Sequence, residues 1–207
     1  MAMRPNTPFR RGLLATLAAA MLPVRAIAQA GPTAVVERFH ATLIAVMRDA
    51  RRLGVRGRVE QLRPAMEAAF DLPAMARIAV GPAWAQMAPA QRDAIVAAFS
   101  EWSIATYANR FDGYAGETFA TQGELELRGG DRLVRTTLNR TGGQEPVLLS
   151  YLLRQGGGGW RIVDVYLTGS ISELASRRSE FTALLREGGP DRLVAELRRR
   201  TATLMRG

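Results

Sequence analysis

At Gly116 the spacing of apolar residues along the chain changes from about four to two. That change constrains the fold more than any other feature, because a period near 3.6 belongs to helices and a period of two to strands. Before it, Val36, Phe39, Leu43 and Met47 form one stripe of a helix over residues 33 to 50. Val59, Leu62, Met66 and Phe70 form another over residues 58 to 70, and Asp71 is placed to cap a short third helix through Ile78, which Gly81-Pro82 ends. From the Pro89 to Arg92 start, a helix carrying Ile95, Phe99, Trp102, Tyr107 and Phe111 runs until Gly113 stops it.

After Gly116, strands are predicted at residues 119–127, 133–140, 147–153 and 160–167, separated by Gly129-Gly130, Gly142-Gly143 and the run Gly156 to Gly159. Turns this short force antiparallel neighbours. In the third strand Val147, Leu149, Tyr151 and Leu153 face one way and Leu148, Ser150 and Leu152 the other, so both faces are largely apolar. One is expected to meet helices and the other a cavity or further helix. Ser170 then caps a helix through Glu187, with Glu173 at the capping-box spacing, and Gly188-Gly189-Pro190 separates it from a last helix over residues 191 to 204. The predicted class is α+β, with helices packed on a four-stranded antiparallel curved sheet that encloses an apolar cavity.

Absent residue types narrow the chemistry. With no Cys and one His among 207 residues, disulfides, thiol nucleophiles and zinc-type sites are excluded, and only His40 offers an imidazole. It sits mid-helix, two positions from Arg38, where a structural role is expected. No spacing places two of Glu101, Asp71, Asp112 and Asp164 face to face as paired carboxylates. The glycine run at residues 156–159 lacks a phosphate-cradle pattern and lies between two strands, so it reads as a turn. Asp164 has the oddest setting, among Ile162, Val163 and Val165, and the expected compensation is an ion pair with Arg77, Arg177 or Arg178 tying strand to helix.

The first thirty residues read as an address. Arg4, Arg10 and Arg11 precede an apolar stretch from Gly12 to Val24, and Ala26-Ile27-Ala28 or Ala28-Gln29-Ala30 offers small residues for cleavage. Residues 1–28 are therefore expected to be a signal peptide and residues 29–207 a single domain. Phe9-Arg10-Arg11-Gly12-Leu13-Leu14 suits a twin-Arg route loosely, leaving the general secretion route open. An uncleaved anchor is the alternative, opposed by an apolar run that Pro23 breaks well short of the roughly 20 residues a span needs. The chain's formal charge is +9 without a single Lys; the leader holds four Arg and no acid, so the remainder carries 24 minus 19, or +5. Export and Arg residues not interleaved with aromatics argue against nucleic acid as partner.

Taken in order, Phe70-Asp71 with Met75-Ala76, Gly81 with Trp84, Gln91-Arg92, Tyr107-Ala108, Tyr151, Trp160 with Asp164-Val165, Gly169-Ser170, Arg178 to Phe181 and Asp191-Arg192-Leu193 resemble the MlaC family of periplasmic lipid-binding proteins, also called the toluene-tolerance family. Gly169-Ser170-Ile171-Ser172 before Arg178 to Phe181, and Tyr107-Ala108 before Phe111-Asp112 and Tyr114, look closer to its hopanoid-associated HpnM branch. The resemblance implies a monomeric, non-enzymatic periplasmic carrier without cofactor or metal, whose partners are a phospholipid or hopanoid and membrane-bound transport complexes. The chain departs from the family in having no Lys, so contacts made by Lys elsewhere would fall to Arg. The pocket candidates are Val36, Phe39, Phe99, Trp102, Tyr107, Val147, Leu149 and Tyr151, and Arg192, Arg198 and Arg199 on the last helix are candidates for docking at acidic surfaces. A lipid-modifying hydrolase using Asp164 or His40, or an adaptor with a filled core, are the rival readings.

Overall fold

The computed structural model describes Met1 and residues 30–168 and 170–206. Apart from Met1, the expected signal peptide lies outside the described residues. Pro32, whose fixed φ suits a first helical turn, opens α1 (Pro32–Arg48). After a one-residue joint at Asp49 comes α2 (Ala50–Ala69), broken near its start by Gly54 at φ 59°. The Asp71 carboxylate accepts from the Ala74 N–H at 2.9 Å and so caps α3 (Leu72–Val80). A 3-10 turn over Gly81–Gln86 leads into α4 (Pro89–Arg110), a helix of 22 residues.

The second half is a meander. β1 (Thr118–Glu126), β2 (Arg132–Asn139), β3 (Val147–Gly156), β4 (Gly159–Leu167) and β5 (Ile171–Ser172) lie in sequence order, every neighbouring pair antiparallel. The sheet thus has five strands where four were expected, the extra one being a two-residue edge too short to carry a period. α5 (Glu173–Leu204) follows, and its break at Gly188 and Gly189 divides the two final helices predicted from the sequence. Its N-cap is Ser172, whose hydroxyl accepts from Ala175 N–H at 2.9 Å, rather than the expected Ser170. The two residues of β5 occupy the positions that Ser170 was expected to lead into helix.

Helices cover one face of the sheet. Cross-strand rows Val134–Tyr151–Val165 and Thr136–Leu149–Leu167 point at them, joined by Leu153 opposite Ile162. Between Leu152 and Leu153 the register slips, so β4 carries one extra residue there. Without that bulge Ile162 and Val165, an odd number of residues apart, would face opposite sides; with it, both are buried among the helices. The other face of the sheet was expected to be covered as well, yet Leu148 there is 49% exposed. The core runs through α1, α2, α3 and α4 onto these rows, with Val36, Leu43, Leu62, Ile95, Phe181 and Leu193 closed to solvent.

Candidate functional site

On α4 the residues Phe99, Trp102, Ser103, Thr106, Tyr107 and Arg110 recur at the three-and-four spacing of one helical face. That face forms one wall of a cleft. Met66 from α2 and Phe70 just past its end, Leu72 and Met75 from α3, Leu149 and Tyr151 from β3, Val165 and Leu167 from β4, and Glu173, Leu174 and Arg177 from α5 complete it. Including its mouth the space is about 770 Å³, but the interior cavity is about 100 Å³. It is an open cleft rather than the enclosed cavity expected from the sequence.

The depth of the cleft is apolar for identifiable reasons. Tyr107 packs edge-on against Phe39 and Phe70, with ring centroids 5.6 and 5.7 Å apart, and stacks on Phe111 at 5.8 Å. Thr106 turns its hydroxyl back onto the Trp102 carbonyl at 2.7 Å, which satisfies that donor within the helix. Burial drives the Tyr107 phenol above its ordinary range; Arg110 pulls it down and Glu173 pushes it further up. Burial likewise holds the Tyr151 phenol well above its ordinary value, with Tyr107 adding to the effect. Both phenols are neutral donors at any physiological pH.

Charge is confined to the mouth. Arg110 from α4 and Arg177 from α5 each approach the Glu173 carboxylate to 3.5 Å, one at each oxygen. Arg177 also lies over the Trp102 ring, 4.8 Å from its centroid, and reaches Glu180 at 3.6 Å. Further along α5, Arg200 bonds Glu180 and Glu196, and Arg199 bonds Glu196; these two arginines hold the Glu196 carboxyl down at about 2.

Five of the eight pocket candidates, Phe99, Trp102, Tyr107, Leu149 and Tyr151, line the cleft. Val36 is buried in the core on α1, and Val147 is half-buried at the margin of the core. Phe39 lies behind Tyr107 and lines a separate hollow between α1 and α2. Thr106 and Arg110 were missed although they continue the α4 stripe; the α2, α3 and α5 residues carry no signal that would tie them to it. The docking candidates Arg192, Arg198 and Arg199 are all exposed; Arg199 also pairs with Glu196, and Arg192 stands 3.9 Å from Glu187.

The expected ion pair of Asp164 is a correction. Its carboxylate accepts from Val165 N–H at 2.8 Å, Ser172 hydroxyl at 2.5 Å and Leu174 N–H at 3.3 Å. Arg177 turns to Glu173 and Glu180, and Arg178 donates to the Ile78 carbonyl. The bulge places Asp164 beside the start of α5, where unpaired backbone donors supply what an arginine would have supplied.

His40 is also removed from any surface chemistry. It is buried, 2.9 Å from the Tyr151 hydroxyl, and Phe119 stacks on it at 3.8 Å between centroids. Burial lowers its pKa to about 4, so the imidazole is neutral at pH 7. It lies at the floor of a groove along α1 and β1, which Glu37, Arg48 and Thr121 make more polar than the cleft. Among the described residues no group of three or more acids and His is placed to hold a metal, and no helix is long and apolar enough to cross a membrane.

The family model described as MlaC protein matches residues 37–199 of the chain. Among solved structures, the chain is similar to the phospholipid-binding protein from Ralstonia solanacearum, determined in complex with a phospholipid. The two share 25% identity at a TM-score of 0.74, over 84% of this chain and 99% of that one.

Proposed function

Because the chain belongs to the MlaC protein family, we propose that it is a non-enzymatic lipid carrier of the periplasm, monomeric and free of cofactors, that holds acyl chains in the cleft between α4, α5 and the sheet. The observation that carries this reading is the α4 stripe: an apolar depth under aromatic rings, with charge only at its mouth. A phospholipid is the favoured cargo, supported by the bound phospholipid of the Ralstonia solanacearum protein. A hopanoid is the second reading, favoured by the sequence likeness of residues 169–172 and 178–181 to the HpnM branch.

Physical chemistry sets what the cleft must do. An acyl chain of about sixteen methylenes, at roughly 0.8 kcal/mol each, loses on the order of 13 kcal/mol when left in water. Nearly all of it must be covered. Yet a 100 Å³ interior is smaller than the roughly 150 Å³ apolar cavity that accepts one benzene. Loading therefore requires the α4–α5 wall to part from the sheet, and release at a membrane-bound transport complex is the same motion driven by docking. Passage between inner- and outer-membrane complexes follows as the transport role, with export by the N-terminal leader and Arg192, Arg198 and Arg199 available for docking.

Native mass spectrometry of protein purified from its own periplasm tests the reading, with lipid extraction to identify the cargo. Bound lipid is expected in the unaltered protein and is expected to vanish in Ser103→Trp, which fills the cleft from its half-exposed α4 wall. Absence of any co-purified lipid, together with no uptake of fluorescent lipid, overturns the carrier.

A further inference from the structure

The mouth of the cleft contains an anion seat that the protein fills with its own carboxylate. Arg110 and Arg177 come from different helices, yet each faces a different oxygen of Glu173 at the same 3.5 Å separation. Neither pair closes into a hydrogen bond among the described residues. By contrast Arg63 grips Glu101 through two bonds of 2.6 and 2.7 Å, and Arg199 grips Glu196 at 2.7 and 2.9 Å. The Glu173 pairs are thus loose and partly solvated, with side-chain exposures of 49% for Arg110, 27% for Arg177 and 22% for Glu173, and such pairs are weak.

The seat is nevertheless organised. Arg177 lies over the Trp102 ring, and Trp102 lines the same cleft, so one guanidinium is placed at the point where the apolar wall ends. Glu173 is the first residue of α5; its neighbours Ser172 and Leu174 both bond Asp164, whereas its own side chain faces the two arginines. Its carboxylate can swing outward without disturbing the cap. A phosphodiester presents two charged oxygens much as a carboxylate does, and two arginines on either side are the geometry that binds it with charge-assisted hydrogen bonds.

Resting on the carrier reading, we propose that Arg110 and Arg177 bind the phosphate of a lipid headgroup at the cleft mouth, and that Glu173 is a competing internal anion which must leave for the headgroup to enter. Tails in the cleft and phosphate at its mouth make one continuous site. The Glu173 carboxylate disfavours loading and favours release, since its return to the two arginines compensates them when the lipid departs.

The test offers tail-labelled phosphatidylglycerol, or diacylglycerol with the same acyl chains, from the same neutral carrier vesicles. The unaltered protein is expected to prefer phosphatidylglycerol by about tenfold, the factor that about 1.4 kcal/mol makes at 25 °C. In Arg110→Gln/Arg177→Gln that preference falls to within about twofold while diacylglycerol uptake persists, which reports an intact fold. Glu173→Gln raises phosphatidylglycerol uptake more than diacylglycerol uptake, so the preference between the two lipids widens. A preference that survives the double substitution overturns the seat; an unchanged preference in Glu173→Gln overturns the competing anion. Inorganic phosphate alone is the further probe: if it raises the melting temperature through both arginines and no lipid preference exists, the site takes free phosphate and the headgroup assignment fails. Uptake of neither lipid by the unaltered protein sinks the carrier reading instead, which separates the two failures.

Discussion

Tyr151 stands between two regions built on opposite terms. Behind it, under α1, His40, Phe119 and Phe39 are packed ring against ring, and the one polar group, the imidazole, is buried against the tyrosine hydroxyl. In front of it, the α4–α5 cleft keeps open space between apolar walls and leaves its ions loosely matched at the mouth. The same contrast appears in two acids, Asp164 on β4 and Glu173 at the start of α5: Asp164 is buried under three donors, while Glu173 stands between two arginines. A container needs one wall that does not move and another that does. Paired buried polar groups make the first, even with a hollow beside Phe39 between α1 and α2; a wide apolar mouth and weak surface pairs make the second.

Substitutions that treat the two sides alike are the way to break this contrast. Leu43, fully buried on the inner face of α1, is expected to cost about 2–5 kcal/mol when truncated to Ala, read by urea unfolding. Leu167, half-buried and lining the cleft, is expected to cost under about 1.5 kcal/mol in the same experiment while altering lipid uptake. Equal losses would mean that both walls are packed alike. Next in size is the pH dependence of His40. Its pKa falls from 6.5 unfolded to about 4 folded, so its contribution is complete above pH 6.5 and is lost as pH falls through about 4. That loss amounts to about 3 kcal/mol over the window, and His40→Gln should flatten the profile of unfolding free energy against pH.

Asp164→Ala should cost about 2 kcal/mol, because the Ser172 hydroxyl and the Leu174 N–H lose their acceptor at the start of α5. Glu173→Gln, one residue from the Ser172 cap, is expected to change stability by less than about 0.5 kcal/mol. If thermal unfolding ranks these two acids the other way, the division between fixed anchor and loose latch is wrong. Smallest of all, Arg198→Glu should leave stability within about 0.5 kcal/mol, as exposed positions do. An effect on binding to membrane complexes without an effect on the melting temperature would sharpen its assignment to docking.

Much of the fold was legible because period reports local geometry. The α4 stripe predicted Phe99, Trp102 and Tyr107 together, and the glycine-separated alternations predicted the meander. Three features were not legible. The bulge that brings Ile162 and Val165 to one face is a single extra residue, invisible to a pattern of period two where Ile162 and Val163 are both apolar. β5 is too short to show a pattern. The partners of Asp164 were misread because an arginine was sought where backbone N–H groups at a helix start already sufficed.

What the sequence by itself determined is the order of the elements, which residues of each are apolar, and which chemistries are closed to a chain with no Cys and one His. The tertiary structure alone decided that the α4 stripe faces a cleft rather than a filled core, that Phe39 backs it while Leu149 lines it, and that Arg177 serves the mouth rather than Asp164. The reason is one of range. Hydrophobic periodicity records how neighbouring residues must be oriented, whereas the choice of an ionic partner or the survival of a void depends on distances between segments far apart in the chain, which only their packing sets.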